Sequence, residues 1–583
     1  MKTLLSGNEA IARGAWEAGL VVAAAYPGTP STEILENLAD YPDIYCEWSP
    51  NEKVALEVAS GASLAGVRAL AVMKHVGLNV ASDPFMTLSY TGVKGGMVVV
   101  VADDPELHSS QNEQDSRHYA RMANVPVIEP SDSAEAREFV KAAFSISERF
   151  DTPVLLRTTT RVSHSRSTVP IPAKGSRRVP AAASIARDQR KFVMVPAYAR
   201  LRHHDVLRRH DLLAAFGAKT KLNRIEPGKK ALGIVTSGIA YQYVKEAFPD
   251  ASILKLGFSY PLPERLIRRF AATVKRLVVV EELDPFLEEQ IRALGIRAEG
   301  KSLLPLFGEL NPAIVADALG PRRRRAKPVA GLPPRPPSLC PGCGHMAFFN
   351  MLRPHRPFVA GDIGCYTLAA APPLEMIHTC LCMGGGISQA HGISKAFAGG
   401  EQKKTAAVIG DSTFLHSGLH ALLNVGYNRG NVAVFILDNR TTAMTGRQEH
   451  PGTGKTIRGD EAPAVNCADL ARALGISHVE TVDPYDFAAT RAAIARAMET
   501  PGPTVVVVQR PCLLLSKKKP GTVHAVDPAI CIGCKRCLTV GCTALSFIGK
   551  GKSGKSVIDP VPCAGCGVCA DACPQKAISP VKP

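Results

Sequence analysis

Eight of the chain's 16 cysteines crowd into its last 53 residues, at spacings that leave few folds open. Cys531, Cys534, Cys537 and Cys542 read CxxCxxCxxxxC, and Cys563, Cys566, Cys569 and Cys573 read CxxCxxCxxxCP, closing on Pro574. Three thiolates at i, i+3 and i+6 wrap three corners of an iron–sulfur cubane, and the remote fourth cysteine of each run ligates the other cluster. Cys531, Cys534, Cys537 and Cys573 are thus expected to hold one [4Fe-4S] cluster, and Cys542, Cys563, Cys566 and Cys569 a second. Zinc needs four ligands per ion and leaves the two triplets unexplained. Such spacing points to a reducing compartment rather than to disulfides, and to electron transfer through residues 520–583.

The remaining length asks for more than one further domain: 583 residues suggest about three to five in all. From Leu20 to about Thr160, short apolar runs (VVAAAY, RALAVM, GGMVVVVADD, VPVIEP, TPVLLRTT) alternate with helical patterns, the signature of a parallel sheet covered by helices on both faces. Residues 161–190, rich in Ser, Arg and Pro, read as a linker. A second α/β unit has ALGIVTSG, SILKLG and RLVVVEE as strands. The basic, proline-rich stretch Pro321–Leu339 marks a boundary. A third unit follows, with AAVIGD, VAVFILDN and TVVVVQRP as strands.

Composition narrows the function classes. Hydrophobic residues make up 46% and charged residues 21%, which is ordinary for globular chains. No apolar run reaches the roughly 18 residues of a membrane span, and the start MKTLLSGNEAIAR does not suit a signal peptide, so a cytoplasmic location is expected. The net charge of +17 favours anionic partners, but no nucleic-acid motif accompanies it. The runs Arg322–Arg325 and Lys517–Lys519 read as charged linkers.

In the third unit, Gly410, Asp411 and Ser412 follow one strand, and Asp438 and Asn439 end the next. Carboxyl ends of parallel strands are where open α/β sheets bind ligands. Asp411, Asn439 and the main-chain oxygen of Thr441 make an oxygen set suited to Mg²⁺ against a diphosphate. GDS followed by LDN at this distance resembles the thiamine diphosphate signature. CPGCGH at Cys340–His345 and CMGGGIS at Cys382–Ser388 carry glycines whose NH groups can close on an anion, with Gly342, Cys343, His345, Met383 and Gly384 as candidate cofactor contacts. A zinc site from Cys340, Cys343, Cys380 and Cys382 is the alternative there, and the spacing assigns no role to Cys365. PGTGKT at Pro451 lacks the first glycine of a P-loop, since Glu449 stands in its place. A thiamine cofactor also needs a carboxylate at its aminopyrimidine, and Glu52, opening a helix of small residues, is the candidate; an ordinary exposed helix-opening glutamate is the alternative.

YPGTPSTEI, NEKVALEVASGAS, KHVGLN, SSQNEQDSR, CPGCGH, GDSTF, LDNRTTAMTG and the terminal cysteines together resemble the large (alpha) subunits of indolepyruvate ferredoxin oxidoreductases, in the 2-oxoacid:ferredoxin oxidoreductase superfamily. The resemblance covers nearly the whole chain, in domain order. MGGGIS departs from the family's glycine and alanine pattern. The resemblance implies a multi-domain α/β fold: a pyrimidine-binding thiamine domain over 1–165, a linker and transketolase-C-terminal-like α/β domain over 166–329, a diphosphate and Mg²⁺ domain over 330–515, and a two-cluster ferredoxin-type domain. It implies oxidative decarboxylation of arylpyruvates with CoA and reduction of ferredoxin. Glu52 would activate the cofactor and Thr29 would contact the substrate carboxylate. A smaller beta (gamma-type) subunit would complete an α2β2 assembly. Pyruvate, branched-chain or phenylglyoxylate substrates, and a non-catalytic electron-relay subunit, are the alternatives.

Overall fold

A computed structural model of the chain describes residues 2–172, 177–185, 187–320, 331–332, 336–397, 404–516 and 521–581. They form two compact units, Met1–Pro328 and Val329–Pro583. Both basic runs, Arg322–Arg325 and Lys517–Lys519, lie outside the described residues.

The first unit is built on a seven-stranded sheet in the order Phe258–Tyr260, Val127–Ile128, Val154–Thr159, Met97–Asp103, Arg68–Lys74, Leu20–Ala25, Tyr45–Trp48. Every neighbouring pair is parallel except the first. Met97–Asp103 (MVVVVAD) is buried along its whole length, because helices cover both faces and no alternation with polar residues is needed. The five expected strands are present. Tyr45–Trp48, at the sheet edge, has no apolar run to announce it.

Residues 161–190 depart from the expected linker. Arg166–Pro170 pairs antiparallel with Lys2–Ser6. A 22-residue helix, Pro196–Gly217, then follows; its charged sequence has no apolar stripe, so no helical period reveals it. The four-stranded sheet beyond runs Leu277–Val280, Lys229–Ser237, Ala251–Leu256, Asn223–Glu226. The two expected domains of this unit share one core: Leu56, Met73 and Val99 pack in the same cluster as Leu254, Phe270 and Phe286. Pairing also crosses the expected boundary at residue 165, since Phe258–Tyr260 joins the seven-stranded sheet and Arg166–Pro170 pairs with Lys2–Ser6.

A buried ion-pair network reaches from one sheet to the other through Arg117. Fully buried Arg117 donates to Asp115 and, at 2.7 Å, to Glu281, while Arg157 donates to Asp103 and Glu129 at 2.6 Å each. Removing one partner of such a pair would strand a buried charge at about 3–5 kcal/mol. The pairs fix the loop between Asp103 and Arg117 from both sides.

The second unit centres on a five-stranded, all-parallel sheet: Val359–Ala360, Thr405–Gly410, Val432–Asp438, Thr504–Gln509, His478–Val482. Two short antiparallel ribbons, His524–Val526 with Ile578–Pro580 and Leu545–Ile548 with Lys555–Ile558, frame the cysteine-rich end. That end is seated on the sheet domain. Val540 and Val568 enter its core, Asn350 donates to the Val540 carbonyl at 3.2 Å, and Arg491 pairs with Asp571. Among the described residues no helix is long and apolar enough to cross a membrane.

Candidate active site

In the first unit, Thr29, Glu52 and Asp104 follow carboxyl ends of strands in the seven-stranded sheet, and Lys74 is the last residue of one. Glu52 is the first residue of the helix Glu52–Leu64, capped by the Asn51 side chain on the Val54 NH at 3.0 Å. It is 4% exposed, so the reading of an ordinary surface glutamate does not hold. Its carboxylate lies against Gly77, where a Cβ would fall 2.7 Å from Oε1; only glycine leaves that room. Lys74 donates to the Ser109 carbonyl at 2.9 Å, and the Ser109 hydroxyl donates to the Thr29 carbonyl at 3.2 Å. Burial pulls the Lys74 ammonium down to about 8 against the opposing charges of Asp104 and Glu52. Asp104 itself is burdened by burial but held below its ordinary range by the Ser110 hydroxyl, the Ser109 NH and the Thr160 hydroxyl. The sheet thus gathers Thr29, Lys74 and Glu52, of which Lys74 carried no distinguishing signal in the sequence beyond its place in KHVGLN.

In the second unit, Asp411 is buried and its Oδ1 accepts from the Ser412 NH at 2.9 Å. Its Oδ2 accepts from the Arg440 NH at 2.9 Å and lies 3.2 Å from His450 Nε2. Burial would raise Asp411, yet His450 and these contacts hold it below the usual carboxylate range; Asp438 is pushed up to about 6 by burial and by the charge of Asp411. Asn439 Oδ1 accepts from the Thr441 NH at 3.1 Å, and Asn439 Nδ2 meets His345 Nε2 at 3.4 Å. Burial takes His345 down to about 4, so it is neutral at physiological pH. Asp411, Asn439 and the Thr441 carbonyl themselves offer oxygens, a set that fits a hard divalent cation, with the imidazoles of His450 and His345 alongside. His450 belongs to the loop that contains PGTGKT; no helix begins at that segment, as a P-loop would require, the next being Cys467–Ala473.

In the glycine loop the NH donors have a partner within the chain. The NH groups of Gly384 and Gly386 donate to the buried carboxylate of Asp362 at 2.9 and 3.0 Å, so the anion they close on is the chain's own. Gly384, at φ +81°, packs against Ser417, where a Cβ would lie 2.5 Å from its Cβ. Gly342, at φ +78°, faces the cysteine-rich end: a Cβ there would come 2.4 Å from the Ala564 Cβ, and Tyr485 donates to the Gly342 carbonyl. Gly342 and Gly384, two of the contacts expected around the diphosphate, thus also make close contacts within the chain. Met383 lies half-buried beside Gly384, and Ser412 accepts from the Thr442 hydroxyl at 3.0 Å.

Twelve cysteines fall into three groups. Cys537 feels the charges of Cys573, Cys531 and Cys534, and Cys569 those of Cys566, Cys542, Cys563 and Cys537, on top of burial that raises both. The members of each expected quartet are thus near neighbours, and Cys531, Cys534, Cys537 and Cys573 line one cavity. Hydrogen bonds reach the sulfurs: the Ala577 NH donates to Cys573 Sγ at 3.3 Å, and the Ser556 and Gly533 NH groups draw the Cys531 thiol down. The third group is new. Burial pushes Cys343 to about 12, with Cys365 and Cys340 adding to it, and Cys365 to about 11, with Cys512 and Cys340 adding. Cys380 and Cys382 feel each other and Asp362 instead, so the alternative quartet of Cys340, Cys343, Cys380 and Cys382 is not assembled. Zinc, with Zn–S bonds of about 2.3 Å, would draw four sulfurs to about 3.8 Å from one another. Among the described residues no three cysteine sulfurs lie within 4.8 Å of one another.

Comparison with known proteins bears directly on this arrangement. Residues 13–210 match the family described as pyruvate flavodoxin/ferredoxin oxidoreductase, thiamine diP-binding. Residues 362–508 match the thiamine pyrophosphate enzyme, C-terminal TPP binding domain, and 556–579 match the 4Fe-4S binding domain. The indolepyruvate oxidoreductase subunit IorA of Methanothermobacter thermautotrophicus is 43% identical over 99% of this chain and 97% of its own length. The chain belongs to the indolepyruvate oxidoreductase IorA family. The IorA subunit of Archaeoglobus fulgidus is 42% identical over 100% of this chain and 98% of its own. A 2-oxoglutarate synthase subunit KorA from the same organism is 27% identical, covering 53% of this chain and 95% of its own length. The IorA-family chain is accordingly an oxidoreductase subunit with two thiamine-diphosphate-binding domains and a carboxyl-terminal [4Fe-4S] domain. The first domain contains Glu52, and the second contains Asp362, Asp411 and Asn439.

Proposed function

We propose that this chain is the catalytic large subunit of an indolepyruvate:ferredoxin oxidoreductase, converting arylpyruvates and CoA to aryl-acetyl-CoA and CO₂ while reducing ferredoxin. One observation carries the reading. The six residues Cys340–His345 reach Asn439 through His345, the cysteine-rich end through Gly342, and a third thiol group through Cys340 and Cys343. A subunit that only relayed electrons would have no use for a diphosphate site joined to its clusters by one short segment.

Thiamine diphosphate, when bound, supplies the carbanion chemistry by which a 2-oxoacid loses CO₂. Glu52 holds the proton at the aminopyrimidine nitrogen, and the close approach of Gly77 keeps its carboxylate in place. Thr29 contacts the substrate carboxylate, with Lys74, joined to it through Ser109, adding positive charge on the same side. Asp411, Asn439 and the Thr441 carbonyl hold Mg²⁺ against the diphosphate. The cysteine groups would hold iron–sulfur clusters, which accept electrons one at a time and would supply the path outward.

Cys531, Cys534, Cys537 and Cys573 hold one [4Fe-4S] cluster, Cys542, Cys563, Cys566 and Cys569 a second, and the Cys340, Cys343, Cys365 and Cys512 group fits a third. Anaerobically purified protein is expected to contain about twelve iron and twelve acid-labile sulfide atoms per chain. About eight would leave the third group without a cluster, and about two zinc with no sulfide would remove all of them.

The relatives are named as subunits, which supports a partner chain; the reading adopted for it is a smaller beta (gamma-type) subunit in a cytoplasmic α2β2 assembly. The test is viologen reduction by the assembled enzyme with indolepyruvate, phenylpyruvate, pyruvate, a branched-chain 2-oxoacid, phenylglyoxylate and 2-oxoglutarate, with and without CoA. Arylpyruvates should give the highest kcat/KM, and only with CoA. A higher value for another 2-oxoacid would overturn the substrate assignment, and no reduction with any would leave the relay reading.

A further inference from the structure

The two cysteine quartets of the carboxyl-terminal end differ in their surroundings. The Cys542, Cys563, Cys566 and Cys569 set faces inward: Cys542 and Cys566 pack against the core of the sheet domain, and Ala564 meets Gly342. The Cys531, Cys534, Cys537 and Cys573 set faces outward. Cys534 is exposed, and beside it Ile530 and Ile532 are 46% and 54% exposed. Ile532 and Lys535 line the same cavity as the four sulfurs.

Charge separates this face further. Residues 521–581 carry six Lys or Arg against three Asp and no Glu. Asp571 is taken by Arg491, and Asp527 and Asp559 accept from the Ala529 and Val561 NH groups at 2.8 and 2.9 Å. Lys535, in the left-handed region at φ +62°, sits between Cys534 and Cys537 in the sequence with its ammonium 4.4 Å from the centre of the Phe547 ring, a cation–π contact that holds the charge near the cluster. Exposed Arg536 and Lys576 flank the same quartet in sequence. Isolated exposed isoleucines need no explanation. Two of them beside an exposed cluster ligand and within a basic surround form the apolar centre and charged rim of a docking face.

We propose that the face formed by Ile530, Ile532, Cys534 and Lys535, with Arg536 and Lys576 at its rim, docks a small acidic one-electron carrier protein, and that the outward quartet is the point where electrons leave. The inference rests on the proposed oxidoreductase activity. Rim charges act mainly on the association rate and its salt dependence, while the apolar centre sets register.

The experiment uses the assembled holoenzyme with indolepyruvate and CoA, measuring second-order reduction of an acidic two-cluster ferredoxin and, separately, of methyl viologen, at low and high salt. Failure of the wild type to reduce viologen would count against the activity itself rather than against the face. For a Lys535→Glu, Lys576→Glu double variant, the ferredoxin rate at low salt should fall by at least about tenfold and the deficit should shrink with salt, while viologen reduction stays within about twofold. Arg200→Glu, an exposed charge reversal on the helix Pro196–Gly217, controls for net charge and should leave both rates within about twofold. Lys535→Gln, which removes one charge without reversing it, carries the test if the double variant loses its iron–sulfur absorbance. A ferredoxin rate near wild type, or an equal fall in Arg200→Glu, overturns the proposal.

Discussion

Glu52→Gln should retain thiamine diphosphate and Mg²⁺ yet lose at least about 100-fold in kcat, the scale of a positioned general acid–base group. Glutamine matches the shape of glutamate and can keep the start of the helix Glu52–Leu64 intact, but its amide cannot exchange a proton with the aminopyrimidine nitrogen. The effect should therefore appear in kcat, with cofactor content and thermal midpoint near wild type. Gly77→Ala is the geometric companion: it brings a methyl group to 2.7 Å from Glu52 Oε1, forcing the carboxylate aside without changing its chemistry. It should also lower kcat, because an ångström of displacement at such a group can cost on the order of 100-fold. Wild-type turnover in Glu52→Gln would remove Glu52 from the reaction.

Asp411→Ala acts earlier, on cofactor retention. The substitution removes the charge proposed to hold Mg²⁺ and strips the Ser412 and Arg440 NH groups of their acceptor. Each buried NH left without a partner costs about 1–3 kcal/mol, so some loss of stability accompanies the loss of binding. Asp411→Asn separates the two, since it keeps an oxygen acceptor while discarding the charge. Both variants should bind thiamine diphosphate in Mg²⁺ at least about 100-fold more weakly, the upper range seen when even an outer-sphere ligand partner is lost. Their iron–sulfur absorbance should persist. Unchanged cofactor affinity in both, measured by calorimetry, would remove Asp411 from the metal site.

What could be read directly from the sequence was short-range chemistry. The two cysteine quartets were legible because six of their eight members lie three residues apart within two triplets, and GDS and LDN because each stands at the end of a strongly apolar strand. The third thiol group was not. Cys340 and Cys343 come near Cys365 and Cys512 only because the loops after Val359–Ala360 and Thr504–Gln509, with two strands between them, leave the same edge of the parallel sheet, which no local spacing encodes. The CMGGGIS glycines suggested an anion correctly but not its source, since Asp362 stands some twenty residues away in sequence and gives no periodic or motif signal. His450 was hidden beside a misleading P-loop-like segment. The helix Pro196–Gly217 was missed because its leucines are scattered around it, Leu201, Leu207 and Leu212 being exposed, and only Val206, Arg209, Leu213 and Gly217 are buried.

The central claim is that decarboxylation at the thiamine site feeds electrons into this chain's own cysteine-held clusters. Anaerobic rapid mixing of the assembled enzyme with indolepyruvate and CoA, with no external acceptor, tests it by following the visible iron–sulfur absorbance. Bleaching should follow mixing in the wild type and be absent in Glu52→Gln, although dithionite bleaches both. Substrate-induced bleaching that is equal in the two proteins, or absent from a wild type that dithionite reduces, would contradict it.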